Sequence, residues 1–308
     1  MLKDRILAAC LALILAAPLA AQAQRPSHRI VVFGTSLSDP GNAFALLGAT
    51  STPPDYSVDP FLVPDRPYAR GGQHFSNGDT WIEQYAGPRG LSASVQPAFR
   101  DAGAKASNFA VGGARAREVA ENLHLSLQVA IFLQQAGGAA RSDALYVIEM
   151  GANDIRDALA TGDASILNAA AEAIAGNIAQ LAAVGARKFL VWNAPNLGLT
   201  PAILGLGPAA AGFADFLTLT FNFNLDTALA ALPGGIEIVR LDVYQKLADL
   251  VANPQAFGLT EVAAACITPN VRPFACKNPE EHLFWDGIHP TRAAHAILAH
   301  QAAAALGE

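Results

Sequence analysis

The sequence predicts an α/β protein in which helices cover both faces of a parallel β-sheet. Five short apolar segments with strand character alternate with stretches of helical periodicity. Several of these segments are apolar at nearly every position, as expected for strands that are buried on both faces. The composition, with 52% hydrophobic and 15% charged residues among 308, excludes a disordered chain.

The strands are placed where β-branched and aromatic residues cluster before turn residues. They cover His28–Phe33, Ala106–Val111, Ala144–Met150, Lys188–Asn193 and Ile236–Leu241. The predicted helices lie between or after them, at about 123–135, 165–183, 208–231 and in a stretch after Pro290. The order of strand and then helix favours a central sheet of about five parallel strands.

The segment 50–78 departs from this alternation. It holds five prolines and a Gly-Gly pair at 71–72, which interrupt regular structure. It also keeps four aromatic residues, which a flexible linker would lack. We therefore expect a long ordered loop over the edge of the sheet.

The N-terminus has the pattern of a secretion signal. Lys3 and Arg5 precede an apolar run over 7–20, and an A-x-A cleavage site follows at 21–23. We expect residues 1–23 to be a signal peptide and residues 24–308 to form a single domain, secreted or periplasmic. The alternative is a membrane anchor, for which the run is short. No later stretch is a candidate span, so we expect no integral membrane segment after cleavage.

Charge and cysteine content limit the partners. The net charge is −6 and there is no basic run, which argues against a nucleic-acid partner. After cleavage two cysteines remain, Cys266 and Cys276, and export to an oxidising compartment favours a disulfide between them. Two buried thiols are the alternative. No C-x-x-C occurs, so a zinc ribbon is not supported. We expect a monomer.

Candidate functional residues follow the strands, because chemistry in a parallel α/β sheet collects at the carboxyl ends of its strands. The first three predicted strands are followed by GTSLSD at 34–39, GGA at 112–114 and GAND at 151–154, and WDGIHP at 285–290 precedes the last helix. No serine lies in G-x-S-x-G, and neither S-x-x-K nor G-x-x-x-x-G-K occurs. These absences exclude the α/β-hydrolase elbow, penicillin-binding chemistry and a P-loop.

A serine, an acid and a histidine within these segments indicate nucleophilic catalysis. The Ser36 hydroxyl needs a base to take its proton, and His289 can be that base if it is neutral. Asp286, three residues earlier, can accept the other ring N–H and fix the tautomer. The backbone N–H groups of Ser36 and Gly113 and the amide of Asn153 can donate to the oxyanion that forms.

These segments resemble the sequence blocks of the GDSL esterases/lipases, also called SGNH hydrolases. GTSLSDPGN at 34–42 is similar to G-D-S-L-S-D-x-G-N, and NFAVGGA at 108–114, GAND at 151–154 and D-x-x-H at 286–289 match the other blocks. The resemblance runs from about Arg29 to about His295. It implies a flavodoxin-like three-layer α/β/α fold and hydrolysis of acyl esters through an acyl-serine, with no cofactor and no metal.

Carried over by position, the resemblance assigns a role to each candidate residue. Ser36 is the nucleophile and an oxyanion donor, Gly113 and Asn153 complete the oxyanion hole, Asp286 orients the imidazole, and His289 is base and then acid. One residue departs from the pattern: a threonine, at position 35, replaces the aspartate of the first block. Since that aspartate is not the triad acid, we expect the loop to be held differently and catalysis to be retained.

Alternative interpretations exist for two of these residues. Ser38 is an alternative nucleophile, although the register of the block favours Ser36. The spacing from Asn108 favours Gly113 over Gly112 as the oxyanion donor.

A metal site is a further alternative at the end of the chain. It would use His282, Asp286 and His289 and would leave the serine blocks unexplained. Four phenylalanines of the predicted helix at 208–231 are candidates either for an acyl pocket or for core packing. They are Phe213, Phe216, Phe221 and Phe223.

The expected function is an exported serine hydrolase of carboxylic esters. Aromatic and apolar residues in the loops favour lipid-like or short-to-medium acyl chains. A carbohydrate O-acetyl esterase on the same fold is the alternative within the hydrolases, and a catalytically inactive binding protein is the alternative outside them.

Overall fold

The structure, a computed structural model, describes residues 27–100 and 106–308, so the predicted signal peptide at 1–23 lies outside the described residues. Four parallel strands form the central sheet in the spatial order β1-β2-β3-β4. They are β1 (Arg29–Gly34), β2 (Ala144–Glu149), β3 (Lys188–Trp192) and β4 (Glu237–Leu241). The predicted parallel sheet is confirmed.

The predicted strand Ala106–Val111 is wrong as a regular strand, and the central sheet of the described chain has four strands instead of about five. The segment runs beside β1, where Phe109 N–H donates to Val32 O at 2.8 Å, but only Asn108 forms a bridge with Val32. The Asn108 side chain accepts from Ala110 N–H at 3.0 Å and so competes with the ladder. When this segment is counted as the second of five in chain order, the five segments lie across the sheet in the order 2-1-3-4-5, which is the flavodoxin-like order.

Helices follow each strand and pack on the two faces of the sheet. They are α1 (Asn42–Leu47), α2 (Trp81–Ala86), α3 (Leu125–Gln135), α4 (Ala152–Thr161), α5 (Ser165–Ala183), α6 (Pro201–Leu204), α7 (Pro208–Ala230), α8 (Val243–Ala252) and α9 (Arg292–Ala305). Short 3-10 helices cover Gly87–Arg89, Leu197–Leu199, Pro254–Phe257 and Pro279–Glu281. The long predicted helices are confirmed within about two residues at each end.

Side chains along β1 alternate between the two faces of the sheet, and each face has its own core layer. Val31 and Phe33 pack with side chains of α3, α5 and α7, whereas Ile30 and Val32 pack with side chains of α2 and α9. Both faces of the strand are therefore buried, which explains its continuous apolar sequence. Burial of each large aliphatic or aromatic side chain contributes roughly 1.5–3 kcal/mol, so both layers stabilise the sheet.

A second, two-stranded parallel sheet lies just before the C-terminal D-x-x-H motif at 286–289. It pairs β5 (Glu261–Ala265) with β6 (His282–Phe284), neither of which the sequence pattern predicts. The link between them contains the disulfide Cys266–Cys276, whose Cα atoms lie 4.8 Å apart.

The segment 50–78 packs against this region. Its buried Tyr56 and Tyr68 form a cluster with Cys266, Ile267 and Trp285, and the Tyr68 and Trp285 ring centroids are 5.8 Å apart. In the described part of the chain, no helix has both the length and the apolar composition needed to span a bilayer.

Candidate active site

Ser36 and His289 meet at the carboxyl edge of the sheet although 253 residues separate them in the chain. The His289 Nε2 lies 2.8 Å from the Ser36 Oγ. Ser36 lies just after the end of β1, and His289 lies between β6 and α9. The histidine is 3% exposed, and its ring contacts the Phe75 ring at a centroid distance of 5.4 Å.

Asp286 contacts the imidazole of His289 from within a tight turn. Its Oδ2 lies 2.7 Å from His289 Nδ1, and its Oδ1 accepts the backbone N–H groups of Ile288 and His289 at 2.9 and 2.7 Å. Tyr68 donates its hydroxyl to the same Oδ2 at 2.9 Å. Burial, and then the charge of Asp286, raises the pKa of Tyr68, so the phenol stays protonated and keeps donating.

Thr35, which departs from the family block, bonds to a buried carboxylate. Its backbone N–H and its hydroxyl donate to Glu149 Oε2 and Oε1 at 2.9 and 2.8 Å. Glu149 is the last residue of β2 and is 2% exposed. Burial raises its pKa to about 7, against the hydrogen bonds from Thr35 and Ser38, which lower it. The loop that carries Ser36 is thus fixed to the neighbouring strand.

Asp39 joins the first two sequence blocks. It accepts the backbone N–H of Gly41 at 2.8 Å and, through its other oxygen, that of Gly112 at 2.9 Å. Burial raises the pKa of Asp39 to about 6 although these N–H groups lower it. A Cβ at Gly112 would lie 2.2 Å from the Phe75 ring, so only glycine fits between them.

The three predicted oxyanion donors have N–H groups available. Among the described residues, none accepts a hydrogen bond from the backbone N–H of Ser36 or Gly113. Gly113 has a φ of +80°, and its carbonyl accepts from Arg115 and, at 3.0 Å, from Asn122. Asn153 uses one amide hydrogen on Ala114 O at 3.0 Å, which leaves the second.

One cavity of about 70 Å³ contains the serine, the histidine and the asparagine. Ser36, Asn153 and His289 line it together, whereas Gly113 does not. Its remaining wall is mostly apolar and comes largely from β6, α8 and α9. Apolar wall residues include Val243, Leu247, Leu250, Leu283, Phe284 and Leu298.

The other candidate residues lie elsewhere. Ser38 is fully buried and accepts from Trp81 Nε1 at 2.9 Å, and His282 Nδ1 lies 3.1 Å from Asn278 O. Phe221 lies on the buried side of α7, in the core. The other three phenylalanines of α7 are between 42% and 71% exposed, and none of the four lines the cavity.

One group in the described chain has the residue types of a metal site. Ligand atoms of His74, Asp79 and Glu83 lie within 4.8 Å of one another. Glu83 already accepts from Thr80 N–H at 2.9 Å as the capping box of α2, and it pairs with His74 at 2.9 Å. Burial lowers the pKa of His74, but the hydrogen bond and charge of Glu83, with smaller contributions from Gly71 and Asp39, together outweigh burial and raise the pKa to about 9. This group fits a buried ion pair that braces α2.

Sequence reasoning missed three residues of this region. Tyr68 lies in the proline-rich loop and Glu149 at the end of an otherwise apolar strand, where a lone acid is the one available signal. Arg156 lines the Ser36 cavity and had no signal beyond its closeness to the G-x-N-D block.

Several known proteins are similar in sequence to this chain. A family model described as GDSL-like lipase/acylhydrolase matches residues 30–302. Esterase EstA of Pseudomonas aeruginosa is 30% identical over 97% of this chain, and the phosphatidylcholine-sterol acyltransferase of Aeromonas hydrophila is 27% identical over 96%. The chain spans 49% of EstA and 95% of the acyltransferase, but only 38% of the Arabidopsis thaliana esterase/lipase At5g22810.

Solved structures include an acetylxylan esterase, Axe2 of Geobacillus stearothermophilus. It is 12% identical, with a TM-score of 0.48, over 92% of this chain and 95% of that one. The family match covers nearly the whole described chain, including all four sequence blocks. The chain therefore belongs to the GDSL-like lipase/acylhydrolase family and is a carboxylic ester hydrolase.

Proposed function

We propose that this protein is an exported serine esterase that transfers an acyl group from an ester to Ser36 and then to water. The observation that carries the proposal is the continuous chain of hydrogen bonds from Ser36 Oγ through His289 to Asp286, with distances of 2.8 and 2.7 Å. That arrangement is the one in which a neutral imidazole removes the serine proton while a carboxylate fixes its tautomer.

In the first half-reaction, Ser36 Oγ bonds to the ester carbonyl carbon as its proton moves to His289 Nε2. The N–H groups of Ser36 and Gly113 and the free amide hydrogen of Asn153 donate to the resulting oxyanion. The intermediate collapses, the bond to the alcohol oxygen breaks, and the imidazolium returns the proton to that oxygen. The alcohol leaves, and an acyl-serine remains.

In the second half-reaction, water replaces the alcohol. His289 takes a proton from the water as its oxygen bonds to the acyl carbon, and the same three donors stabilise the second oxyanion. The bond to Ser36 then breaks, and the proton on the imidazole returns to the serine oxygen. The products are a carboxylic acid and the free enzyme, so no other reactant is required.

The wall of the Ser36 cavity supports an apolar acyl group. Leu247 and Leu250 of α8 and Leu298 of α9 line it, and contact with a hydrocarbon chain would remove apolar surface from water on both partners. Short-to-medium acyl chains are the proposed acyl groups, and the ester panel described below tests their length. A carbohydrate O-acetyl ester would place only its acetyl group on this wall, so a longer acyl chain would contact more of the wall.

Export is the remaining part of the proposal. It is supported by the signal pattern at 1–23 and by the disulfide Cys266–Cys276, since disulfides persist in oxidising compartments. With export, residues 24–308 are the mature domain.

The test uses p-nitrophenyl esters from acetate to palmitate with the protein, Ser36→Ala and Ser38→Ala. We expect Ser36→Ala to lose on the order of 10⁴ or more in kcat. Ser38→Ala tests the alternative nucleophile: its buried hydroxyl bonds to Trp81 and Glu149, so the substitution alters support of the loop and leaves the contact between Ser36 and His289 in place. Equal turnover by the protein and Ser36→Ala would refute the mechanism. Binding without any hydrolysis would favour the inactive binding protein.

Chain-length preference is tested separately with Leu250→Trp. The larger side chain takes up space in the apolar part of the cavity, so kcat/KM should fall for the longer esters and stay near its original value for acetate. A uniform fall across the panel would contradict this location for the acyl chain.

A further inference from the structure

Arg156, on α4, lies between the Ser36 cavity and a second cavity of about 270 Å³ and lines both. The second cavity is otherwise formed mainly by residues around 59–63 and 202–206. The guanidinium has one hydrogen bond among the described residues, from Nη1 to the Asn153 Oδ1 at 3.4 Å. A cation with most of its N–H groups uncommitted thus borders the place where the ester would bind.

The neighbouring arginines differ from Arg156. Arg115 pairs with Asp157 at 2.8 Å, and Arg117 pairs with Asp154 and Asp157, both at 2.8 Å. In the part of the chain that the structure describes, no carboxylate forms a salt bridge with Arg156. Of the three partly buried arginines Arg115, Arg117 and Arg156, Arg156 is therefore the one that forms no salt bridge within the described chain.

Nearby carboxylates are engaged elsewhere. Asp157 is held by the two neighbouring arginines, and Asp286 by His289. Asp59, which also lines the second cavity, accepts the backbone N–H groups of Phe61 and Val63 at 2.9 and 3.0 Å. The charges of these three carboxylates raise the pKa of Arg156, but in the described chain none of them forms a salt bridge or hydrogen bond with its guanidinium.

The cation also remains charged. Burial, and then the charge of Arg115, lowers the pKa of Arg156, but a guanidinium keeps its proton at any pH an enzyme works at. A partly desolvated guanidinium with free donors is matched by a planar carboxylate or by a phosphate, which can accept two N–H groups at once.

We propose that Arg156 binds an anionic group, a carboxylate or a phosphate, on the alcohol part of the ester substrate. The inference rests on the proposed esterase function. The apolar wall from α8 and α9 takes the acyl chain, and Arg156 approaches from α4, beside the oxyanion donor Asn153. The leaving alcohol would point toward the second cavity.

The test uses matched pairs of butyrate esters. In the first pair, the butyryl group is on the phenol oxygen of 4-hydroxybenzoate or of its methyl ester, which is neutral. In the second pair, it is on the free phenol oxygen of 4-hydroxyphenyl phosphate or of its dimethyl ester, which is neutral. The proteins are the wild type, Arg156→Gln, Arg156→Lys and the control Arg141→Gln. Arg141 is exposed and lies before β2, so its removal changes the net charge equally at the opposite edge of the sheet.

We expect Arg156→Gln to lower the ratio of kcat/KM for the anionic ester to that for the neutral ester, on the order of tenfold or more in at least one pair. Comparing the ratio between proteins cancels the intrinsic reactivity of each ester. Lysine should keep part of the preference and Arg141→Gln all of it. The pair that responds identifies the anion as carboxylate or phosphate.

Two results would overturn the inference. If Arg156→Gln slows the anionic and neutral esters equally, Arg156 only supports Asn153. If neither ratio changes, Arg156 meets no substrate anion. Failure of the esterase function looks different, because the wild type would then hydrolyse the neutral esters no faster than Ser36→Ala does.

Discussion

Replacing Glu149 by glutamine should make the protein more stable at alkaline pH. Glutamine keeps an oxygen that can accept the Thr35 N–H, now at 2.9 Å from Glu149 Oε2, and it removes a charge that is 2% exposed. Burial of an ionised carboxylate without a cationic partner is unfavourable, whereas burial of a hydrogen-bonded amide is tolerated.

The magnitude follows from the pKa of Glu149, which burial raises from 4.5 to about 7 in the folded state. Between these two values the folded protein binds more protons than the unfolded chain, so stability falls as the pH rises. The stabilising contribution is complete below pH 4.5 and is lost through pH 7. The difference amounts to roughly 3 kcal/mol, at 1.36 kcal/mol for each pH unit.

Urea denaturation at pH 4, 5.5, 7 and 8.5, at constant ionic strength, measures this effect. The free energy of unfolding of Glu149→Gln should match the wild type near pH 4 and exceed it by up to about 3 kcal/mol at pH 8.5. Asp39 also titrates near pH 6, but it is present in both proteins and cancels. Glu280→Gln, which removes an exposed carboxylate, is the control. A difference that is independent of pH, or lower stability of Glu149→Gln at pH 8.5, would refute the reasoning.

Three further predictions concern the site and its surroundings. Asn153→Ala should reduce kcat on the order of 10²–10³ with little change in KM, because it removes a proposed oxyanion donor; an unchanged kcat would exclude that role. Tyr68→Phe removes a donor to buried Asp286 and should lower kcat about tenfold, from a loss of roughly 1.5 kcal/mol; steady-state kinetics check it, with near-UV circular dichroism to establish that the fold is intact. Thiol titration of the denatured, non-reduced mature protein should find no free thiol from Cys266 and Cys276, whereas two would contradict the disulfide.

The sheet was predictable because its strands are buried on both faces. β1, β2 and β3 are apolar at nearly every position, and a continuous apolar run of this length between turn residues is typical of a strand covered on both sides. The segment around Asn108 has the same local composition. Its departure from the ladder depends on a side chain that bonds to its own backbone, and sequence periodicity does not register such a bond.

The two-stranded sheet was not predicted, for a different reason. β5 has the sequence EVAAA, and alanine and glutamate are poor strand formers that favour helix when considered alone. Its pairing with β6 depends on contacts between segments that are distant in the chain, including those around the disulfide. Tertiary context outweighs intrinsic propensity here.

The sequence predicted which residues form the candidate site, but it did not predict the side chains that contact and hold them. Ser36, Asp286 and His289 come together as the motif order implied, because parallel strands bring their carboxyl ends to one edge. Glu149 and Arg156 act through contacts with other segments, and neither belongs to a motif. The reach of Tyr68 into the site depends on the path of a proline-rich loop, which no local pattern determines.

The separation of Ser36 from His289 along the chain has a consequence for biosynthesis. A ribosome makes Ser36 early and His289 253 residues later. A nascent or truncated polypeptide that stops before His289 carries the proposed nucleophile without the proposed base. Ester cleavage by the proposed route therefore begins only after residue 289 has been translated and has reached Ser36 in the folded domain.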